Sequence, residues 1–331
     1  MSALTAADHR AIVAEAARAP SVHNVQPTRW RFTDDGRVVL FLAPDRALPI
    51  ADPSSHDVQA SLGAAFEGTA LALSTRGWSL APPEPERAAS ASGLTAAVSA
   101  RLVAGGTMDS LAPFVAARRS FRGRFLAAHP RDKEAVLLLA SDDVRVITEN
   151  ATIAEIATLH DAATWSFESR PEYHAELWSW LRLSRRDPRY KRDGLTADCL
   201  ALSTVERWAA ARLLRPDRFA WLTRAGVARH LVSEASHVKS ATALLCYTPR
   251  RADSAFDVGR RFYRLWLETA AAGFHLTPMS ASADDARARD AIERRIALAG
   301  DRRLANVLRV GRAPAGKVAV SPRLPVDELL V

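Results

Sequence analysis

Three arginines and a serine stand close together in the segment Arg118-Arg119-Ser120-Phe121-Arg122. Guanidinium groups bind phosphate through paired N–H donors, and a serine hydroxyl adds one more donor. The segment therefore has the chemistry of a phosphate cradle, although a solvated basic turn has the same composition. A further arginine, Arg323, follows Ser321-Pro322 near the end of the chain.

A second candidate is the polar loop at residues 19–27, which reads Ala-Pro-Ser-Val-His-Asn-Val-Gln-Pro. The amides of Asn24 and Gln26 each offer a donor and an acceptor, which suits the alternating C=O and N–H edge of a flavin pyrimidine ring. A loop whose polar side chains bond to its own backbone would contain the same residue types. The sequence leaves both interpretations open.

A third candidate lies at residues 273–280, directly after a predicted helix, and includes Pro278, Met279 and Ser280. The simplest interpretation is a connection between that helix and a strand. We assign no role to His275 within it.

The spacing of apolar residues predicts the elements that carry these segments. Residues 4–19 predict a helix capped by Thr5, and residues 29–33 and 37–43 predict a hairpin closed by Asp34-Asp35-Gly36. Two further helices, at 58–76 and 258–272, are predicted to end at Gly77 and Gly273. The remaining predictions are strands at 95–106, 240–249 and 304–312, a surface loop at 81–93, a helical, tryptophan-rich segment at 152–224 and a tail from residue 321 that is extended at its prolines.

The two glycine-terminated helices match each other at a constant offset of 196 residues. Six of the twenty positions from 63 to 82 are identical to their counterparts, among them Gly63 with Gly259 and Gly77 with Gly273. Average composition would give roughly one or two identities. The chain is therefore predicted to contain an internal duplication.

Composition and missing motifs exclude several classes of protein. The formal net charge is +8, but no nucleic-acid-binding motif is present and the tryptophans are not interleaved with basic residues, so no nucleic-acid partner is expected. The chain has no Gly-x-Gly, P-loop or Gly-x-Ser-x-Gly motif, and its two cysteines and nine histidines show no metal-ligand spacing. No apolar run approaches the ~18 residues of a membrane span, and the start lacks a signal-peptide pattern, so a cytoplasmic protein is expected.

Together the motifs resemble the nitroreductase superfamily. The Arg118–Arg122 segment resembles its Arg-x-Ser-x-Arg phosphate motif, and residues 19–27 resemble its Ala-Pro-Ser-x-x-Asn-x-Gln-Pro loop. Ala272-Gly273-Phe274 and Arg323-Leu324-Pro325 resemble its Leu-Gly-Leu helix end and terminal Arg-x-Pro. The Pro-Ser-Val-His-Asn loop is similar in particular to Acg-type FMN-binding proteins, which fuse two nitroreductase-like halves in one chain.

This resemblance implies an α+β fold, a nitroreductase-like tandem pseudo-dimer with antiparallel or mixed sheets flanked by helices. The implied halves are residues 1–110 and 111–331, the second with a helical, tryptophan-rich insertion at about 160–225. The tryptophans would form helix core and interface, or the insertion would be a lid over a flavin. Because the loop and the Arg-Ser motif stand in different halves, the resemblance implies one site per chain and a monomer.

The resemblance also implies that both halves hold one FMN, which carries the redox chemistry, so that no side chain is catalytic. Arg118, Ser120, Arg122 and Arg323 would hold its phosphate and ribityl chain, and Arg119 or Arg122 would place a positive charge near N1. The full set of implied FMN-binding residues is Pro20, Ser21, Asn24, Gln26, Arg118, Arg119, Ser120, Arg122, Pro278, Met279, Ser280 and Arg323.

The implied activity moves electrons from NAD(P)H through FMN to a nitroaromatic, a quinone or a similar small-molecule acceptor. The alternative is an FMN-binding or FMN-sequestering protein with little or no turnover.

Overall fold

The structure is a computed structural model that describes residues 3–87, 89, 91 and 93–331. It confirms the predicted α+β class, with antiparallel sheets flanked by helices. The helices of the described residues are α1 (Ala6–Ala16), α2 (His56–Ser74), α3 (Pro130–Leu137), α4 (Asn150–Glu168), α5 (Pro171–Trp180), α6 (Thr204–Leu213), α7 (Pro216–Arg224), α8 (Ala235–Val238), α9 (Ala255–Ala271), α10 (Ala281–Asp284), α11 (Ala286–Arg295) and α12 (Val326–Leu329).

The strands of the same residues confirm the predicted hairpin and the three longer strand predictions. They are β1 (Thr28–Phe32), β2 (Arg37–Leu42), β3 (Trp78–Leu80), β4 (Glu84–Pro85), β5 (Thr95–Ala104), β6 (Val144–Ile147), β7 (Leu181–Arg182), β8 (Leu195–Thr196), β9 (Ala243–Tyr247), β10 (His275–Pro278) and β11 (Asn306–Gly311). Residues 88, 90 and 92 of the predicted loop at 81–93 lie outside the described residues.

Each of the two large sheets draws its strands from one side of residue 110. The first has the antiparallel order β1-β2-β5-β3, and Gly36 closes its hairpin with a positive φ of 75°. The second has the antiparallel order β10-β11-β9-β6. One face of the second sheet packs on α9, and the opposite face packs on α4 and α11.

Helices α2 and α9 cross at the centre of the molecule, between the two sheets. At this crossing a Cβ on Gly63 would overlap the carbonyl oxygen of Phe256, and a Cβ on Gly259 would overlap the carbonyl oxygen of Ala60. Both pairs are related by the 196-residue offset, so each helix contacts the other at equivalent positions. This reciprocal contact is what a two-fold relation between duplicated elements requires, and it supports the predicted duplication.

The N-terminal helix shows how local sequence sets an element boundary. Thr5 caps α1, since its hydroxyl accepts from the backbone N–H of Asp8 at 3.2 Å while the Asp8 carboxylate accepts from the N–H of Thr5 at 2.8 Å. The buried residues Ile12, Val13 and Ala16 then face α2 and the first sheet. The C-terminal end of α1 leads directly into the loop at residues 19–27.

One prediction was wrong in part. The segment 152–224 is not helical throughout, because residues 181–203 form the short parallel pair β7–β8 and connecting turns. The tail is extended at Pro325, as predicted, and a final helical turn, α12, follows directly. Trp208 and Trp221 are 60% and 65% exposed, so these two tryptophans are not core residues. No helix of the described residues is long and apolar enough to cross a membrane.

Candidate functional site

The loop at residues 19–27 has a strained backbone. His23, Asn24 and Gln26 adopt positive φ values of 47°, 57° and 54°, a region that residues other than glycine seldom occupy. The Ser21 hydroxyl accepts from the backbone N–H of Gln26 at 3.0 Å and so closes the turn. Such strain persists only where the surrounding contacts fix it, and it is commonly found at binding sites.

Side-chain amides of this loop bind distant parts of the chain. The Asn24 amide nitrogen donates to the carbonyls of Pro322 at 3.1 Å and Gly194 at 3.3 Å. Gln26 donates to the carbonyl of Arg192 at 2.8 Å and accepts from the backbone N–H of Leu324 at 2.8 Å. Both amides therefore clamp the C-terminal segment and residues 192–194 onto the loop, which is a structural use that the sequence did not predict.

Two predicted arginines that are far apart in the sequence, Arg118 and Arg323, meet just after the C-terminal end of α1. Arg323 donates to the Asn24 side-chain oxygen at 2.9 Å and to the carbonyl of Arg18 at 3.1 Å. Arg118 donates to that same Arg18 carbonyl at 2.9 Å. The Arg-Ser segment and the amide loop at residues 19–27 are thus connected through Arg323 and the carbonyl of Arg18.

These arginines carry charge that no carboxylate in the described part of the chain neutralises. Neither Arg118 nor Arg323 takes part in an ion pair there, and Arg118 is only 5% exposed. Burial, followed by the charge of Arg118, lowers the pKa of Arg323 to about 9, and burial also lowers the pKa of Arg118. A buried arginine next to a half-buried one favours an anionic ligand.

Both arginines line a cavity of about 1100 Å³. Its walls come from α1 and the turn after it, the Arg-Ser segment, residues 185–198 and the C-terminal segment, namely Ala14, Arg18, Arg118, Arg119, Arg185, Tyr190, Lys191, Thr196, Asp198, Ala319, Val320, Ser321, Pro322 and Arg323. Asp198 is the single carboxylate of this lining. It accepts from Arg185 at 3.1 Å and from the Tyr190 hydroxyl at 2.8 Å, so it leaves the other cations unpaired.

The rest of the Arg-Ser segment follows the second sheet. Ser120 pairs in parallel with Leu276, next to the bond of 3.3 Å from the N–H of Phe121 to the Leu276 carbonyl. Arg119 lines the cavity, whereas Arg122 is half-buried outside its lining. Arg309, fully buried in β11, donates to the carbonyl of Gly123 at 2.8 Å and so holds the end of this segment against the second sheet.

The structure does not bring every predicted residue to the cavity lining. Pro20, Ser21 and Gln26 line a separate small pocket instead. Pro278 ends β10, and the N–H of Met279 donates to the carbonyl of Val307 at 2.7 Å, so the sheet occupies this backbone donor. The Met279 side chain is buried in the core, and Ser280 is exposed at the start of α10.

Several cavity residues were missed by sequence reasoning. Arg18 stands directly before the Ala-Pro-Ser loop, and its position at the end of a predicted helix was the available signal. Tyr190, Lys191 and Thr196 come from the segment at residues 185–198, where no motif marks them. Their contribution depends on long-range pairing that local sequence does not encode.

His23 adds a titratable group to the loop. Burial, followed by the positive charge of Arg122, lowers its pKa to about 4. The imidazole is therefore neutral at pH 7 and adds no further charge beside the arginines.

No protein-family model matches the chain. Two curated relatives come from Mycobacterium tuberculosis strain H37Rv, and both are named "Putative NAD(P)H nitroreductase". One is 39% identical over 69 residues, which cover 21% of this chain and 20% of the relative. The other, acg, is 40% identical over 62 residues, which cover 19% and 18%. A solved structure named as a putative nitroreductase from Anabaena variabilis aligns with a TM-score of 0.43 and 8% identity, over 95% of this chain and 90% of that chain.

The alignments with the curated relatives span about a fifth of those relatives' length. Over this matched segment they confirm the resemblance to the nitroreductase superfamily, and to its Acg-type members in particular, that the sequence motifs predicted.

Proposed function

We propose that this chain binds one FMN in the arginine-lined cavity and acts as an NAD(P)H-dependent reductase of nitroaromatics, quinones or similar acceptors. The observation that carries the proposal is the pair Arg118–Arg323, a buried and a half-buried cation that share the carbonyl of Arg18 and have no carboxylate partner among the described residues. The names of the curated relatives support the same reaction type.

The residues present fit a phosphorylated flavin. Arg118 and Arg323 are unneutralised donors at the wall of the cavity, and Arg119, Arg18 and Lys191 add positive charge around them. A phosphate dianion would satisfy donors and charge together. The cavity volume of about 1100 Å³ is slightly larger than the roughly 300–1000 Å³ found for small-ligand pockets, so it accommodates a molecule of this size.

Each part of the chain would contribute a separate function to this site. Arg118 and Arg323 would hold the phosphate, and Asn24 would keep Arg323 in place through the 2.9 Å bond to its side chain. FMN would supply the redox chemistry, taking a hydride from NAD(P)H and passing electrons to the acceptor. The segment at residues 185–198 would limit the access of water and substrates, since it forms one wall of the cavity.

A spectrum of the purified protein tests this proposal. The protein is incubated with FMN, passed through a desalting column and examined for visible flavin absorbance, before and after NADPH is added under anaerobic conditions. Retained yellow colour that NADPH bleaches and a quinone restores is the expected result. Protein that stays colourless after incubation with FMN would refute the proposal.

A second candidate function, FMN binding with little turnover, is favoured by one observation. The segment at residues 182–198, part of which lines the cavity, is anchored by Asp193, which is 3% exposed and pairs with Arg182 at 2.7 Å and with Arg46 at 2.8 Å. Asn24 and Gln26 bind the same segment through the carbonyls of residues 194 and 192. A wall held this firmly would slow the exchange of substrates.

Loosening this wall separates the two functions. Asp193→Asn removes a buried charge that two arginines share, which we expect to destabilise the fold by about 3 kcal/mol. If the wall blocks turnover, the variant reduces quinone at least tenfold faster than the wild type. An unchanged rate would speak against the binding-only alternative. The exposed pair Arg215–Asp217 supplies the control, since Asp217→Asn changes neither stability nor rate appreciably.

A further inference from the structure

Three buried polar atoms without hydrogen-bond partners gather behind the arginine-lined cavity. They are the Nε of Arg118, the hydroxyl of Tyr263 and the indole nitrogen of Trp266. Tyr263 is 0% exposed and Trp266 is 4% exposed, so solvent does not satisfy them. Buried polar groups are almost always paired, and three exceptions around one guanidinium require an explanation.

The two aromatic residues hold Arg118 from the side of α9. They stand three positions apart on that helix, so their side chains emerge from one face. The guanidinium carbon of Arg118 lies 4.6 Å from the Trp266 ring centre and 5.9 Å from that of Tyr263. The Tyr263 hydroxyl is also an electrostatic neighbour of Arg118, although the two groups make no hydrogen bond of good geometry.

The remaining contacts define what this arrangement does to the guanidinium. Its Nη2 is bound to the Arg18 carbonyl at 2.9 Å, its face lies against Trp266, and its Nε is directed into the protein. Arg118 nevertheless lines the cavity. Its Nη1 donors are therefore the ones left for a ligand, and their direction is set by residues that never touch that ligand.

We propose that Tyr263 and Trp266 are positioning residues that aim Arg118 at the phosphate group of the bound ligand. The proposal rests on the proposed function in assigning that phosphate to FMN. It gives α9 a role in recognising a phosphate monoester. No sequence motif indicates this role for Tyr263 or Trp266. The positive charge that these groups surround would be neutralised by the bound phosphate.

The test compares FMN with riboflavin, which lacks the phosphate, in the wild type and in Tyr263→Phe. We expect the variant to bind FMN about tenfold more weakly, because the dipole of the Tyr263 hydroxyl no longer orients the neighbouring Arg118 guanidinium for its charge-assisted bond to the phosphate, while its affinity for riboflavin changes less than twofold. Trp266→Phe keeps an aromatic face and should give a smaller loss of the same selectivity. Both dissociation constants are measured by quenching of flavin fluorescence.

Thermal stability separates positioning from ordinary packing. The Tyr263 hydroxyl makes no hydrogen bond of good geometry, so its removal should leave the melting temperature of the ligand-free protein unchanged or slightly raised. Tyr247→Phe is the matched control, because this buried hydroxyl donates to the Val258 carbonyl at 2.9 Å. The control should melt a few degrees lower and keep the wild-type ratio of FMN to riboflavin affinity.

The outcomes distinguish this inference from the proposed function. Equal losses of FMN and riboflavin affinity in Tyr263→Phe, or no loss of either, would overturn the positioning role and leave FMN binding intact. If the wild type binds neither flavin, the proposed function fails, and inorganic phosphate then serves as the probe. Phosphate should raise the melting temperature of the wild type more than that of Tyr263→Phe, and equal increases or none would overturn the inference.

Discussion

Arg118 places a positive charge in the protein interior without a carboxylate partner. A buried charge of this kind costs stability, and it is retained where a ligand compensates it. The Arg18 carbonyl and the Trp266 ring stabilise the charge only partly. The free energy of unfolding of the ligand-free protein is therefore expected to be lower than that of a variant with an apolar residue at position 118.

Replacing the arginine tests this statement. Arg118→Met should leave the free energy of unfolding of the ligand-free protein unchanged or raised, while FMN affinity falls by about ten- to hundredfold, the range for a bond to a charged group. Chemical denaturation and flavin titration measure the two quantities. Arg212→Met is the control, because Arg212 also stacks on a tryptophan, at 4.0 Å from Trp208, but lies outside the cavity lining. A destabilised Arg118→Met that binds FMN normally would contradict the assignment.

The pKa of His23 predicts a pH dependence of stability. Burial lowers this pKa to about 4 from 6.5, so the unfolded chain binds a proton that the native state excludes. Stability from this group is complete above pH 6.5 and is lost as the pH falls toward 4. His23→Asn, which tolerates the positive φ of this position, should lose about 1–2 kcal/mol less than the wild type between pH 7 and pH 5. Urea denaturation at the two pH values measures this, and identical losses would show that His23 is not buried in its neutral form.

At the scale of elements, the α2–α9 crossing depends on two glycines. Gly63→Ala and Gly259→Ala each push a methyl group into a backbone carbonyl of the other helix, which cannot withdraw as a flexible side chain can. Each should destabilise the fold by at least about 2 kcal/mol, although alanine is the better helix former by about 1 kcal/mol. Gly300→Ala, which meets no atom within 4 Å, is the control and should change stability by less than about 0.5 kcal/mol. Unequal effects of the two helix substitutions would argue against the two-fold relation.

Elements with a local signal were predictable from the sequence. The apolar period gave α2 and α9 with ends within a few residues of those observed, and the Asp34-Asp35-Gly36 turn gave the β1–β2 hairpin. Residues 181–203 were not predictable, because Asp193 fixes them through Arg46, 147 positions away. Helix-forming residues flank this segment on both sides, and nothing in its own sequence indicates that Asp193 pairs with Arg46.

The candidate site was also predictable only in part. Arg118, Arg119, Arg323 and Asn24 were predicted, and the structure places the three arginines at the cavity and Asn24 against Arg323. The amides were expected at a ligand edge, yet they bind carbonyls of the chain itself, since the loop must be held in its strained backbone. Motif residues thus indicated which segments meet, but not which atoms remain free for a ligand.

At the scale of the whole molecule, the site depends on both ends of the chain. Arg323 connects Asn24 of the amide loop to the Arg18 carbonyl and, through it, to Arg118. The amide loop at residues 19–27 and the Arg-Ser segment at residues 118–122 each occur once in the sequence, so only one complete set of site residues is present. We therefore expect one flavin per chain and no need for a second chain to complete the cavity.

The most direct measurement is an equilibrium titration of the ligand-free protein with FMN, followed by flavin fluorescence, with the molar mass determined by light scattering at saturation. The account predicts saturation at one FMN per chain in a particle with the mass of a single chain. Saturation at two per chain, or binding that requires a dimer, would contradict a single site built across the two halves, and absence of binding would contradict the site altogether.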